Sequence, residues 1–125
     1  MLIDTDVLIW MTRGHLGAAQ RLGQLLPWRL SAVTYIELAQ GCRNKAELAL
    51  LKKGLMQSQA EIIPLTPAIS ARAMGLIDGY ALSSSLQLGD ALIAATALEH
   101  QITLLTGNVK HFAKLPGLSI ETFRP

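Results

Sequence analysis

Cysteine is almost missing from this chain: Cys42 stands alone, so no internal disulfide can form and a reducing, cytoplasmic setting is expected. With no Cys or His partner at ligand spacing, Cys42 is read as a buried or inert thiol, and a zinc site of the usual kind is excluded. Charge is also scarce. Charged residues make up 16% of the chain against 50% hydrophobic ones, a balance that excludes disorder and calls for a large core. The net charge of +2 permits a nucleic-acid partner without demanding one. Long apolar runs are lacking too. The longest, Ala91 to Leu98, is far too short to cross a bilayer, and no charged stretch leads into an apolar one at the N-terminus, so neither a signal peptide nor a membrane partner is expected. No linker, repeat or low-complexity segment divides residues 1–125. They read as a single domain, long enough to bury roughly two-thirds of its unfolded surface.

What is present is an alternation of short apolar runs with segments of helical period. Leu2 to Asp4, Leu30 to Val33, Glu61 to Leu65, Ile102 to Leu105 and Leu118 to Phe123 read as strands. Helices are predicted over about residues 6–12, 16–26, 34–42, 45–57, 67–82, 89–100 and 108–113. Thr66-Pro67 marks one helix start, and Gly75 puts the continuity of that helix in question. Alternating strands and helices imply an α/β fold with a parallel sheet covered on both faces. In such a sheet the working crevice lies beyond the C-terminal ends of the strands.

Asp4, Glu37 and Asn108 each follow a predicted strand, and Asp90 opens a predicted helix, so the fold class brings four distant positions to one edge. Local explanations exist for most of them. Thr34-x-x-Glu37 has the form of a capping box, while Asp90 and Asp6 could each cap a helix or sit in its first turn. Asp4 is different: an ionised carboxylate closing a buried strand costs several kcal/mol unless something compensates. A divalent metal is an efficient compensator, and oxygen-only ligands select Mg²⁺ or Mn²⁺. Such a site suits phosphoryl chemistry. His15, His100 and His111 lie in separate segments without ligand spacing, and His15 and His100 read as structural.

Four segments in this order resemble the motifs of a PIN domain: Asp4-Thr-Asp-Val-Leu-Ile9, Ser31-x-x-Thr-x-x-Glu-Leu-x-x-Gly41, Asp90-Ala-Leu-Ile-Ala-Ala-Thr-Ala97 and Leu105-Thr-Gly-Asn-Val-Lys-His-Phe112. More narrowly, they are similar to VapC-type ribonuclease toxins of bacterial toxin–antitoxin modules, with a match running from residue 1 to about residue 120. The resemblance implies a three-layer α/β/α fold around a central, mainly parallel sheet of about five strands. It implies Mg²⁺- or Mn²⁺-dependent endonuclease activity on RNA, a cognate antitoxin protein and a homodimer. By position, Asp4, Glu37 and Asp90 fall on the family's metal-binding acids, Asn108 on its fourth motif and Thr106 on a residue supporting that corner. Where many relatives carry a further acid this chain has His111, which leaves one metal or two open. Asp6 stands where relatives often have a small polar residue, and it either orients Asp4 or a water or simply caps a helix.

The expected mechanism is in-line attack of an activated water on a phosphodiester, with Asp4, Glu37 and Asp90 holding the ion and Asn108 positioning a water or phosphate oxygen. Arg13, Arg43, Lys45, Lys110 and Lys114 flank these segments and are candidates for RNA contact. Trp10, Trp28 and Tyr35 are either base-stacking platforms or ordinary packing residues. Trp10 and the stretch Leu48 to Leu51 are also candidates for a groove that takes an antitoxin helix or a second subunit. Two other readings compete. The Asp4-Thr-Asp motif also resembles the aspartate pair of haloacid-dehalogenase-like phosphatases, although later segments lack the acids to complete that site. The second is a PIN-like scaffold that binds RNA or protein without cutting.

Overall fold

In a computed structural model that describes residues 1–125, the first strand, β1 (Leu2–Ile3), presents its two apolar side chains to opposite faces, as the pleat requires. Leu2 joins a core with Ile69, Ala73, Leu76, Ile93, Ala94 and Phe112; Ile3 joins another with Val7, Leu8, Ala18, Leu22 and Leu30. A helical layer therefore covers each face.

The elements follow in the order β1, α1 (Thr5–Thr12), α2 (Leu16–Gly23), β2 (Arg29–Ser31), α3 (Ala32–Gln40), α4 (Lys45–Gln57), β3 (Glu61–Ile63), α5 (Pro67–Ser84), α6 (Leu88–His100), β4 (Leu104–Thr106), α7 (Val109–Phe112) and β5 (Ile120–Thr122). Every hydrogen-bonded pair of strands is parallel. They are hydrogen-bonded as two ladders, β1-β4-β5 and β2-β3, with β1 packed alongside β2. The register sets Leu2 against Leu104 and Ile3 against Leu105. One residue further on, that register leads to Asp4 and Thr106.

α6 is buried on nearly every side, through Ala91, Ile93, Ala94, Ala95, Thr96 and Ala97. Its alanines let α5 and α3 pack close against it. The one polar member of this run, Thr96, satisfies its hydroxyl on Leu92 O at 2.7 Å. Asn44 caps α4 by accepting from Glu47 N at 2.9 Å, and Thr66 caps α5 by accepting from Ile69 N at 3.2 Å, with Pro67 in the first turn.

Three local expectations need correction. Thr34-x-x-Glu37 is not a capping box: α3 starts three residues earlier than the capping pattern requires, and its cap is Ser31, whose Oγ accepts from Val33 N at 3.1 Å. The second strand accordingly ends at Ser31 rather than Val33. Gly75 does not interrupt α5, which runs unbroken to Ser84, because packing against α6 outweighs about 1 kcal/mol of helix propensity. The remaining boundaries shift by a few residues: α2 stops at Gly23, β3 at Ile63, and β5 is confined to Ile120–Thr122. No helix is long and apolar enough to cross a membrane.

Candidate active site

β1 hands over to α1 at Asp4, whose extended backbone lets its own side chain cap the helix. Oδ1 accepts from Thr5 N at 2.8 Å and Oδ2 from Thr106 Oγ1 at 2.7 Å, across the β1–β4 pair. Thr106 Oγ1 in turn accepts from Asn108 N at 3.0 Å, which orients its own proton toward Asp4. Asp4 is 3% exposed, and no basic side chain pairs with it. Burial, then the neighbouring charge of Asp6, push its carboxyl up from 3.8 to about 7; Asp90 adds to the rise, while the Thr106 and Thr5 hydrogen bonds oppose it.

Asp6 lies in the first turn of α1 and is not its cap, a place Asp4 takes. Its Oδ2 accepts from Gly107 N at 2.9 Å, while Oδ1 is buried with no hydrogen-bond partner. Burial raises the pKa of Asp6 as well, against the Gly107 hydrogen bond. A Cβ at residue 107 would stand 2.7 Å from Asp6 Oδ2 and 3.3 Å from the Phe123 carbonyl oxygen, so this turn admits only glycine without displacement.

Glu37 is exposed on α3 and is held by Thr5, whose Oγ1 donates to Oε1 at 2.7 Å and lies 3.0 Å from the buried Thr34 Oγ1. Thr34 thus bridges α1 and α3 rather than capping a helix. The other side of the Glu37 carboxylate meets the start of α6, where a Cβ at Gly89 would approach Oε2 to 3.1 Å. Asp90 is the third residue of α6. Its Oδ2 accepts from Gln87 N at 3.2 Å and lies 3.0 Å from His111 Nδ1. Asn108 opens α7 and is exposed, its side chain capping nothing. Asp4, Asp6, Glu37, Asp90, Thr106 and Asn108 are therefore linked through one network at the strand ends. As they stand, however, no three acidic or imidazole groups are close enough to share one ion, since Glu37 is turned to Thr5 and Asp90 to Gln87 and His111.

The basic candidates do not form one cluster. Arg13 and Arg43 line a groove of about 840 Å³ between α1, α3 and α4, where Arg43 pairs with Glu47 at 2.8 Å. Lys45 starts α4, Lys110 sits on α7, and Lys114 follows it with Nζ 3.5 Å from the Ser83 carbonyl oxygen. Leu8, Met11, Leu38, Leu50 and Leu51 give the groove an apolar floor, and Glu37 lies at its boundary with the acidic network. Cys42 lines the same groove, half-buried. Of the two readings of Trp28, the structure bears out packing: it is 7% exposed and donates from Nε1 to Leu22 O at 2.9 Å, so it offers no stacking platform. Trp10 stacks edge-on with His15, which caps α2, and Tyr35 packs against the core. His100 is exposed at the end of α6.

Thr5, Gly89, Gly107 and Gln87 escaped the reading of the sequence. For the two glycines the signal was adjacency, one beside Asp90 and one beside Asn108; Thr5 sits between two acids.

A parallel α/β domain with this acidic network beyond its strand ends defines a fold class, and the sequence pattern of the PIN domain matches residues 1–118: the chain belongs to the PIN-domain family. Its relatives narrow the comparison. It is similar to Ribonuclease VapC10 of Mycobacterium tuberculosis, with 34% identity over 116 residues covering 90% of this chain and 85% of that protein. It is also similar to Ribonuclease VapC1 of Rickettsia felis, with 31% identity over 130 residues covering 98% and 95%. Among solved structures, a toxin–antitoxin complex from Klebsiella pneumoniae superposes with a TM-score of 0.81 and 32% identity, over 97% of this chain and 95% of that one.

Proposed function

We propose that this chain is a Mg²⁺- or Mn²⁺-dependent endoribonuclease and the toxin of a toxin–antitoxin pair, with Asp4, Glu37, Asp90 and Asn108 as its working residues. The observation that carries the reading is Asp4: a buried carboxylate, flanked by Asp6 and Asp90, with no cation to balance it. Burial disfavours the ionised form of such a carboxyl, and a ligand that supplies positive charge restores it. The donors fit a hard divalent cation, being carboxylate oxygens with the orphaned Asp6 Oδ1 among them. Glu37 reaches a shared ion by turning from Thr5, an inexpensive rotamer change for an exposed side chain.

When bound, the cation supplies positive charge to a phosphate and activates a water. The chain's residues do the rest. Asp4 and Asp90 hold the site at the strand ends, Thr106 fixes the Asp4 carboxylate, and the Asp6–Gly107 bond sets the turn that presents Asn108. The Asn108 side chain, exposed and unengaged, is placed to bind a water or phosphate oxygen. Arg13, Arg43, Lys45, Lys110 and Lys114 provide backbone phosphate contacts on two sides.

The apolar groove beside Glu37 suits an amphipathic antitoxin helix, in the helix-in-groove mode. A homodimer belongs to the same reading: fully exposed Leu82 and largely exposed Leu88 flank the α5–α6 turn with apolar surface. The names of the relatives, ribonucleases and a toxin–antitoxin complex, support the ribonuclease activity and the antitoxin partner.

The test is cleavage of total RNA by the purified chain with Mg²⁺ or Mn²⁺ against EDTA, beside the Asp90→Asn variant. Discrete fragments that require both the metal and Asp90 support the enzyme. Intact RNA from folded, antitoxin-free protein turns the reading to a binding scaffold.

A further inference from the structure

Asp90 and His111 come from segments 21 residues apart, yet they make the only side-chain contact by which α7 reaches an acid of the site. The contact is firmly mounted. His111 donates its backbone N–H to Asn108 O at 3.1 Å, and the next residue, Phe112, is fully buried in the core shared with α5 and α6. The imidazole is itself half-buried, its side chain 21% exposed, against 17% for that of Asp90. It is therefore delivered by a rigid element rather than by a free loop.

At the Asp90 end the geometry is one-sided. Oδ2 receives two donors, Gln87 N at 3.2 Å and the imidazole at 3.0 Å, while Oδ1 makes no hydrogen bond. Two donors on one oxygen fix the plane of the carboxylate and leave Oδ1 as the free lone-pair donor. A carboxylate acceptor requires the imidazole to carry a proton on Nδ1, as the Nδ1–H tautomer of the neutral ring does. In that tautomer Nε2 is left as an acceptor.

We propose that His111 is a positioning residue: its Nδ1–H locks Asp90 Oδ2 against the start of α6, so that Oδ1 is held for the divalent cation. The proposal rests on the metal-dependent reading above. It assigns no proton transfer and no metal bond to His111. Without the imidazole, that oxygen keeps only the longer bond from Gln87 N, at 3.2 Å. Outer partners of this type are worth about 10- to 100-fold in metal affinity.

Two substitutions separate positioning from mere packing. His111→Phe keeps the ring and its volume but has no donor, whereas His111→Asn loses the ring but places an N–H near Nδ1. Mn²⁺ binding to the metal-free full chain is titrated by electron paramagnetic resonance, with melting temperatures recorded for each variant. Long-range ¹H–¹⁵N spectra report which ring nitrogen of His111 is protonated. The expected result is binding about 10-fold or more weaker in His111→Phe, within a few-fold of wild type in His111→Asn, and an Nδ1–H signature in the wild-type chain. The proposal is overturned if His111→Phe binds Mn²⁺ like wild type, or if the proton resides on Nε2. Loss of affinity in both variants in step with their melting temperatures marks a packing role and overturns it as well. A folded wild-type chain that binds no Mn²⁺ sinks the metal reading itself, an outcome distinct from equal binding by wild type and His111→Phe.

Discussion

Replacing Asp4 by Asn removes a charge that the fold tolerates poorly, and the structure gives the size and pH dependence of the effect. Asp4 is 3% exposed, and its carboxyl is pushed from 3.8 to about 7, chiefly by burial and then by Asp6. Between these values the native state holds a proton that the unfolded chain has released. Stability therefore falls as pH rises through this window, by about 1.4 kcal/mol per pH unit and about 4 kcal/mol in all, and levels off above pH 7. The neutral amide avoids this cost. It gives up about 1 kcal/mol, because only its Oδ1 accepts and one of the donors Thr5 N and Thr106 Oγ1 loses its acceptor. In EDTA at pH 8, Asp4→Asn should be about 3 kcal/mol more stable than wild type, or about 10 °C in melting temperature for a domain of this size. Near pH 4 the gain should vanish or reverse by about 1 kcal/mol. Urea unfolding of both proteins from pH 4 to pH 8 checks this. A variant less stable than wild type at pH 8, or a gain independent of pH, would refute the reasoning.

Two further perturbations probe the neighbouring parts. Gly89→Ala places a Cβ 3.1 Å from Glu37 Oε2 in the first turn of α6, so RNA cleavage should fall about tenfold or more while thermal stability holds or rises by up to about 1 kcal/mol. Equal cleavage would show that Glu37 is free to move aside. Leu50 is 69% exposed yet lines the groove, so Leu50→Asp should leave urea unfolding nearly unchanged but weaken antitoxin binding by about tenfold or more, measured by calorimetry. Unchanged affinity would place the antitoxin elsewhere.

The parts of this molecule legible in the sequence are those governed by short-range rules. Thr66-Pro67 marks the start of α5, because caps and first-turn residues act within a few positions. The convergence of Asp4, Glu37, Asp90 and Asn108 followed from strand–helix alternation, since a parallel sheet collects its strand ends on one edge. The pairwise contacts did not follow. Thr34 looked like a local partner of Glu37, but its neighbour is Thr5, 29 residues away, because α1 and α3 pack side by side. The bonds from Asp4 to Thr106 and from Asp6 to Gly107 span about a hundred residues, and helical period carries no information on such distances. Trp28 was ambiguous for the same reason: whether an aromatic at a strand edge faces solvent or core depends on α2 and α4 closing over it. Gly89 and Gly107 are spaces shaped by side chains from other elements, and a glycine in a sequence does not reveal what approaches it.

The most direct test of the central claim, that the acids at the strand ends form a divalent-metal site, is an anomalous-difference map from a crystal of the chain soaked in Mn²⁺. One strong peak is expected against the carboxylates of Asp4 and Asp90, with Glu37 turned from Thr5 toward it and no peak in the Asp90→Asn crystal. A map without a peak at these residues, or with Mn²⁺ bound only elsewhere, would contradict it.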